Sequence, residues 1–234
     1  MIVFRSILFN IIFYGGTTIG LTVLCPLLLM PKAMYRWIPH AWSTWVSWVL
    51  RTIVGVTYRI EGKEYMPKTP VLMAIKHQSA WETIALNHII KAPAYILKKE
   101  LTYIFPFGLY LKKAGMIPLD RRGTVASLKN MISLSKKRLE EGYSIIIFPE
   151  GTRSAPGTQN PYKKGIYTLY KRLDTPVVPV ALNSGVYWPR RTFLKYPGEI
   201  VLKFLPPLQP GMEEKEFMSA LEKSIETASK GLLH

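Results

Sequence analysis

Residues 143–153, YSIIIFPEGTR, decide how this chain folds, because a short apolar run ends there in a dense polar cluster. Aromatic and β-branched residues fill the first half, and Pro149 and Gly151 close it. A run of this length and composition, bounded by Pro and Gly, predicts a buried β-strand. The polar residues that follow are then placed at the carboxyl end of that strand.

Similar short apolar runs recur along the chain, with amphipathic segments of helical periodicity between them. We predict further strands at residues 70–75, 94–97, 115–119, 177–182 and 200–205, and helices at 79–90, 124–141, 163–173 and 213–230. Strands that alternate with helices are typical of layered α/β domains. The fold class we predict is therefore α/β, with a mixed sheet flanked by helices over residues 58–234.

The chain is apolar and strongly basic at the same time. Hydrophobic residues make up 48% of its 234 positions, and 31 Lys and Arg against 15 Asp and Glu give a net charge of +16. A basic protein binds anionic partners. No zinc-finger, RNP or helix-turn-helix motif supports nucleic acid as that partner, so we expect a membrane surface. The single cysteine, Cys25, excludes a disulfide within the chain.

The apolar residues concentrate in residues 1–57, which we predict to form a two-helix membrane element. No charged residue occurs from Ile7 to Met30, a run of 24 residues, and about 20 suffice to span a bilayer. A second apolar stretch, 37–58, carries four tryptophans, which prefer the membrane–water boundary. These segments either span the bilayer or lie in its interface. A cleaved signal peptide is the alternative for the first segment, and a core helix for the second.

Three polar clusters follow predicted strands, at residues 77–82, 120–123 and 148–153. In open α/β sheets, binding sites form at the carboxyl ends of the strands. The clusters are therefore expected to converge on one pocket.

The first cluster contains a candidate general base, His77, and a candidate carboxylate partner, Glu82. Neutral imidazole can remove a proton near pH 7, and a carboxylate can orient the ring. Five residues on one regular helix are about 140° apart, so the pair requires His77 in a loop and Glu82 in the first helical turn. The alternatives are that Glu82 caps the helix, since Ser79 to Glu82 is a capping-box pattern, and that His77 is a surface histidine.

The third cluster combines a carboxylate, a glycine and a guanidinium. Arg153 offers a fork of donors that suits phosphate, and Gly151 lets backbone N–H groups approach an anion. The alternative is a strand-ending turn with a surface salt bridge.

Taken together, His77-x-x-x-x-Glu82 and 148–153 resemble motifs of the 1-acyl-sn-glycerol-3-phosphate acyltransferases, a family of glycerolipid acyltransferases. Further matches in the family's order occur at residues 98–101, 107–108, 115–121, 163–165 and 177–181. The resemblance covers residues 71–183, about half of the chain. One position departs from the family pattern, since Glu82 stands where the family carries Asp. The longer side chain requires either a shifted helix start or a looser pair with His77.

The resemblance implies transfer of an acyl chain from acyl-CoA or acyl carrier protein to the sn-2 hydroxyl of 1-acyl-sn-glycerol 3-phosphate, giving phosphatidic acid. It implies that His77 is the base and Glu82 its orienting partner. The acceptor head would be bound by Arg121, Glu150, Gly151, Thr152 and Arg153, with weaker candidates in Lys98 and Arg122. No metal or bound cofactor is expected.

The expected location is a bacterial inner membrane, with the active site on the cytoplasmic side. Other functions stay open. The acceptor could be another lysolipid or glycerol 3-phosphate, or the protein could bind lipid without turnover or hydrolyse it.

Overall fold

The computed structural model describes residues 1–31, 35–120 and 122–233. Within these residues, seven strands form one sheet: β1 Val56–Glu61, β2 Leu72–Ile75, β3 Pro93–Lys98, β4 Ile117–Leu119, β5 Ser144–Ile147, β6 Val177–Leu182 and β7 Gly198–Phe204. Their order across the sheet is β1-β7-β6-β2-β5-β3-β4. All neighbours are parallel except β6 and β7, which are antiparallel. The predicted mixed sheet is confirmed.

Helices connect the strands and cover both faces of the sheet. They are α1 Ile2–Val23, α2 Trp37–Val49, α3 Trp81–Ile89, α4 Phe107–Lys113, α5 Val125–Glu140, α6 Gly165–Leu173, α7 Ser184–Tyr187 and α8 Glu214–Gly231. Short 3-10 segments lie at Cys25–Leu29, Lys63–Tyr65 and Lys99–Tyr103. Sequence patterns did not predict β1, α4 or α7.

The core has two layers, one on each face of the sheet. Every residue of β2, β5 and β6 is buried, as expected for parallel strands covered on both sides. Alternation along β2 sends Met73 and Ile75 into one hydrophobic cluster, with α3, and Leu72 and Ala74 into the other, with α6 and α8. The continuous apolar runs of the sequence therefore mark the centre of the sheet.

The predicted two-helix apolar element is wrong in one detail. Among the described residues, α1 is the one helix long and apolar enough to cross a membrane, with a mean hydropathy of 1.5. Helix α2 has only 13 residues and buries Ser43, Val46 and Val49, chiefly against α3. The apolar stretch 37–58 then continues through a π-helical segment, Leu50–Val54, which ends at Gly55, and enters the sheet as β1. Its hydrophobicity therefore partly reflects the protein core.

Helix α1 is attached to the α/β part of the chain near both of its ends. Ser6 accepts a hydrogen bond from the backbone N–H of Lys195 at 2.9 Å, and the Lys195 ammonium contacts Asn10 at 2.8 Å. At the other end, the Tyr110 hydroxyl donates to the carbonyl of Leu21 at 2.7 Å. Most of the remaining surface of α1 is exposed and apolar. The predicted boundary between residues 1–57 and 58–234 stays a prediction.

Candidate active site

The predicted clusters lie at the carboxyl ends of parallel strands. Strand β2 ends immediately before Lys76 and His77, β5 ends before residues 148–153, and β4 ends before Asp120. Because β2 and β5 are direct neighbours in the sheet, their two clusters meet. Arg121, from the second cluster, lies outside the described residues.

His77 and Glu82 form the pair that the spacing predicted. His77 lies in the loop after β2, and Glu82 lies in the first turn of α3. Glu82 Oε1 is 2.8 Å from His77 Nδ1, so the longer side chain forms a close pair. Because the carboxylate can only accept hydrogen bonds, Nδ1 carries the ring proton. The Nε2 lone pair is then free to accept a proton from a substrate.

Glu82 also holds the start of α3, so the helix-capping alternative describes a second role of the same side chain. The backbone N–H groups of Gln78 and Ser79 donate to Oε1 at 2.8 and 2.7 Å, and the Ser184 hydroxyl donates to Oε2 at 2.7 Å. Ser184, the first residue of α7, belongs to no motif that sequence patterns single out. Both oxygens of the carboxylate are therefore fixed by donors from separate parts of the chain.

These contacts keep Glu82 ionised although it is 0% exposed. Burial alone raises the pKa of this carboxyl group. The hydrogen bond and charge interaction with His77, together with hydrogen bonds from Ser79 and Ser184, outweigh burial and bring the pKa below its ordinary value. The carboxylate can therefore stabilise an imidazolium ion on His77.

The ring of His77 is held on its face as well as at its edge. It stacks on Phe148 with ring centroids 4.0 Å apart and an interplanar angle of 19°. The His77 carbonyl accepts a hydrogen bond from the backbone N–H of Ser154 at 2.8 Å. The loops after β2 and β5 are thus joined at His77, through both its ring and its backbone carbonyl.

Glu150 is buried within the protein and fully hydrogen-bonded. Its carboxylate lies 3.0 Å from the Lys76 ammonium, and it accepts hydrogen bonds from Ser154 at 3.2 Å and from the backbone and side chain of Asn160 at 3.2 and 3.1 Å. Lys76 also contacts both oxygens of Glu226 on α8, at 2.8 and 2.9 Å. We call Lys76, Glu150 and Glu226 the interior charge cluster.

Two members of this cluster, Lys76 and Glu226, are not predicted by sequence patterns. Lys76 carried a signal, since it is a charged residue at the end of an apolar strand. Glu226 carried little, because it follows the core position Ile225 on an amphipathic helix and is 150 residues from Lys76.

A cavity of about 920 Å³ begins at His77 and runs to α1 and α2. The predicted binding residues Lys98, Glu150, Gly151, Thr152 and Arg153 line it near His77, together with Phe148. The far end is bounded by Gly20, Leu21, Ile38 and Trp42. Most of the wall is apolar, so the cavity suits a hydrocarbon chain with a polar head near His77.

The structure separates Arg122 from this group. Its side chain is 80% exposed and pairs with Asp120, with Nε 3.0 Å from Oδ1. These hydrogen bonds lower the pKa of Asp120 to about 2. No group of three or more His, Cys, Asp and Glu side chains suited to a metal ion occurs in the described part of the chain. That no cofactor is needed stays a prediction.

The fold and the site together define a class. An α/β domain that holds a histidine–carboxylate pair at one end of an apolar cavity has the architecture of the glycerolipid acyltransferases. The model of the Acyltransferase family matches residues 57–183, more than half of the chain. The chain therefore belongs to the Acyltransferase family.

Relatives from distant organisms agree with this assignment. The chain is 31% identical over 225 residues to 1-acyl-sn-glycerol-3-phosphate acyltransferase of Pseudomonas aeruginosa, covering 95% of this chain and 87% of that protein. It is 25% identical over 177 residues to the alpha form of that enzyme from Mus musculus, covering 74% and 62%. The crystal structure of PlsC, the 1-acyl-sn-glycerophosphate (LPA) acyltransferase from Thermotoga maritima, has the same fold, with a TM-score of 0.79 at 23% identity over 99% and 98% of the two chains. The resemblance inferred from the motifs is confirmed.

Proposed function

We propose that this protein transfers an acyl chain to the sn-2 hydroxyl of 1-acyl-sn-glycerol 3-phosphate, giving phosphatidic acid. The observation that carries the proposal is the His77–Glu82 pair at the head of a long apolar cavity. The name of the Pseudomonas aeruginosa relative, which covers nearly the whole chain, supports this acceptor. The acyl donor is a thioester, either acyl-CoA or acyl carrier protein.

In the proposed reaction, His77 Nε2 removes the proton from the acceptor hydroxyl as its oxygen attacks the thioester carbonyl. Glu82 stabilises the imidazolium that forms. The tetrahedral intermediate collapses, the carbon–sulfur bond breaks, and the leaving sulfur takes the proton from His77. An ester and a free thiol result, so the base is regenerated without a covalent acyl-enzyme.

The acceptor phosphate is proposed to bind near His77, at the loop after β5. Arg153 is half-buried there and lines the cavity with Gly151, which has a positive φ of 69° and turns the loop. Thr152 and Lys98 are exposed on the same rim. Because Glu150 is buried and paired with Lys76, we assign it to positioning this loop. The proposed phosphate contact of Arg121 rests on the family resemblance.

The protein is proposed to work at the cytoplasmic surface of a bacterial inner membrane. The apolar surface of α1 supports membrane association. The loop before α4 adds exposed side chains at Tyr103, Ile104 and Phe105, the last 80% exposed. Lys112 and Lys113 follow in the last turn of α4, and each such charge gains about 1 kcal/mol near anionic lipid. A cavity bounded by α1 and α4 could then receive amphiphiles directly from the bilayer.

Transfer of a labelled palmitoyl group to lysophosphatidic acid tests the proposal. The His77→Ala variant should lose a factor on the order of 10² to 10⁴ in rate. His40→Ala is the matched control, because His40 is exposed and does not line the cavity. Full activity of His77→Ala would eliminate the mechanism.

The same assay separates the alternatives. Palmitoyl-CoA and palmitoyl carrier protein distinguish the donors, and glycerol 3-phosphate and other lysolipids distinguish the acceptors. Free fatty acid released without an acceptor would indicate a hydrolase. Lipid binding without any turnover would indicate a non-catalytic protein.

A further inference from the structure

Tyr95 has a buried hydroxyl group without a hydrogen-bond partner. The side chain lies on β3, is 6% exposed and lines the cavity. Its oxygen finds no donor or acceptor among the described residues. Buried tyrosine hydroxyls nearly always have a partner, because an unpaired polar group loses its contacts with water and gains none. The position of this hydroxyl therefore needs an explanation.

Two serine hydroxyls, of Ser135 and Ser229, also lack a partner in the described part of the chain. Both lie within helices, where a serine hydroxyl can turn towards a carbonyl of the preceding turn. Neither lines the cavity. The Tyr95 hydroxyl cannot turn towards a nearby backbone carbonyl in this way, because it is at the end of a rigid ring.

Tyr95 belongs to the polar end of the cavity. Its ring stacks against Phe148 with centroids 6.5 Å apart, and Phe148 in turn stacks on His77. Burial, and secondly the charge of Glu82, raise the pKa of Tyr95 well above its ordinary value. The phenol therefore keeps its proton and is available as a hydrogen-bond donor near the reacting groups.

We propose that the Tyr95 hydroxyl donates a hydrogen bond to the carbonyl oxygen at the head of an acyl chain in the cavity. The inference rests on the proposed function and adds a binding group for its substrates. Ile84 and Met116 belong to the same hydrophobic cluster as Tyr95 and also line the cavity, so a ligand there is largely hydrocarbon with an isolated acceptor atom. A phosphate would need cations, and Arg153 and Lys98 lie on the rim. An acyl carbonyl fits this place, because it is a single acceptor atom on a hydrocarbon chain and needs no cation.

Two substrates carry such a carbonyl: the thioester of the donor and the sn-1 ester of the acceptor. If the thioester is the ligand, Tyr95 would help to stabilise the oxygen on which negative charge develops. If the sn-1 ester is the ligand, Tyr95 would position the acceptor. In both cases the Tyr95 hydroxyl, a neutral donor, makes one hydrogen bond to one acyl carbonyl.

The Tyr95→Phe variant removes one oxygen atom and tests the proposal. We expect its melting temperature to rise, because an unpaired buried hydroxyl disappears, and its kcat/KM to fall about tenfold, the loss of one neutral hydrogen bond. Tyr170→Phe is the matched control. Its hydroxyl is also buried but donates to Gln209 at 2.5 Å and accepts from Met212 at 2.9 Å, away from the cavity. That variant should melt lower and keep its activity.

Substrate analogues that lack one of these carbonyls show which of the two substrates Tyr95 contacts. If the acceptor ester is the ligand, the wild-type protein prefers ester over ether lysophosphatidic acid, and Tyr95→Phe loses the preference. If the donor thioester is the ligand, Tyr95→Phe lowers kcat equally with both acceptors. Either result supports the proposal. Unchanged kcat and KM in Tyr95→Phe would overturn it.

Binding measurements keep this proposal separate from the proposed function. Palmitoyl-CoA can be compared with its thioether analogue, and ester with ether lysophosphatidic acid, by the rise in melting temperature that each causes. The wild-type protein should distinguish the members of at least one pair even if no transfer occurs, and Tyr95→Phe should not. Equal responses in both pairs by the wild-type protein would contradict the role of Tyr95, while inactivity with His77 intact would contradict only the proposed function.

Discussion

The two ends of the cavity are built on different physical principles. At the polar end, hydrogen bonds fix the side chains, as with Glu82, whose two oxygens accept from His77, Ser184 and two backbone N–H groups. At the apolar end, α1 meets α2 mainly through packing, with one side-chain hydrogen bond from Trp42 to Thr17 at 3.1 Å. Hydrogen bonds have narrow geometry, whereas apolar contacts constrain mainly volume. The positions of the reacting side chains are therefore fixed more narrowly than those of the side chains that form the apolar cavity wall.

The polar end itself has an open and a sealed part. His77 faces the cavity and pairs with one carboxylate, whereas its neighbour Lys76 lies in the interior between two carboxylates. Adjacent residues on an extended chain point to opposite sides, so one strand end supplies both. The open pair can change protonation during turnover. In the interior charge cluster, Lys76 and Glu226 do not line the cavity, and the cluster holds the loop of Glu150 in place.

The largest effect is expected from Glu82→Gln at the open pair. The amide keeps the size of the side chain but removes the charge that stabilises the imidazolium, so kcat should fall by a factor on the order of 10³. Glu82→Asp is the control that keeps the charge and should retain more activity than Glu82→Gln. Steady-state rates with lysophosphatidic acid measure both. A wild-type kcat in Glu82→Gln would mean that the carboxylate only caps α3.

The next largest effect is expected from Lys76→Met in the interior charge cluster. The change leaves Glu150 and Glu226 buried without their cation, which should cost about 3–5 kcal/mol of unfolding free energy. Glu226→Gln is the matched control. This variant leaves Lys76 paired with Glu150 alone. The carbonyl of the new amide can still accept a hydrogen bond from Tyr162, so the unfolding free energy should fall by about 1 kcal/mol.

Urea denaturation in detergent measures both variants of the cluster. Lys76→Met should also raise the KM for the acceptor more than it changes kcat, because Glu150 precedes the loop that carries Arg153. Equal stability of Lys76→Met and Glu226→Gln would show that the cluster is not held by its lysine.

The polar end could be predicted from the sequence because its signals are local. His77 and Glu82 are five residues apart, and the requirement for a loop followed by a helical turn followed from geometry alone. The apolar first half of residues 143–153 predicts a strand by its composition, and the structure places β5 at Ser144–Ile147. The interior charge cluster could not be predicted, since Lys76 and Glu226 meet only after the sheet has formed. Tyr95 resembled any other core residue of a strand.

The apolar end was harder to predict, because hydrophobicity does not say which surface a side chain will meet. The composition of the stretch 37–58 predicts one apolar helix, but the stretch divides into α2, a π-helical segment and β1. Likewise, the contact between the Tyr110 hydroxyl and the Leu21 carbonyl joins residues 89 positions apart. Neither Tyr110 nor Leu21 lies in a sequence motif that would indicate this contact. Long-range packing of this kind follows from the folded shape and not from periodicity.

The smallest effect is expected at this apolar end, from two neighbouring glycines of α1. A methyl group added at Gly16 would overlap the ring of Trp45 on α2, whereas one added at Gly15 meets nothing within 4 Å. Gly15→Ala should therefore be neutral or stabilise the protein by up to about 1 kcal/mol through helix propensity. Gly16→Ala gains the same propensity but should be less stable than Gly15→Ala by about 1–3 kcal/mol, because the ring must move.

Thermal unfolding of the two alanine variants in the same detergent gives this difference directly, since the propensity gain cancels between neighbours on one helix. If the two variants are equally stable, Trp45 adjusts freely and the packing of α1 on α2 does not define the far wall of the cavity. If Gly16→Ala also lowers kcat with the Glu82 region unchanged, the apolar end would influence the reaction as well as bind the chain, and the contrast between the two ends would weaken. We expect kcat to be retained, because no described hydrogen bond links Gly16 or Trp45 to His77 or Glu82.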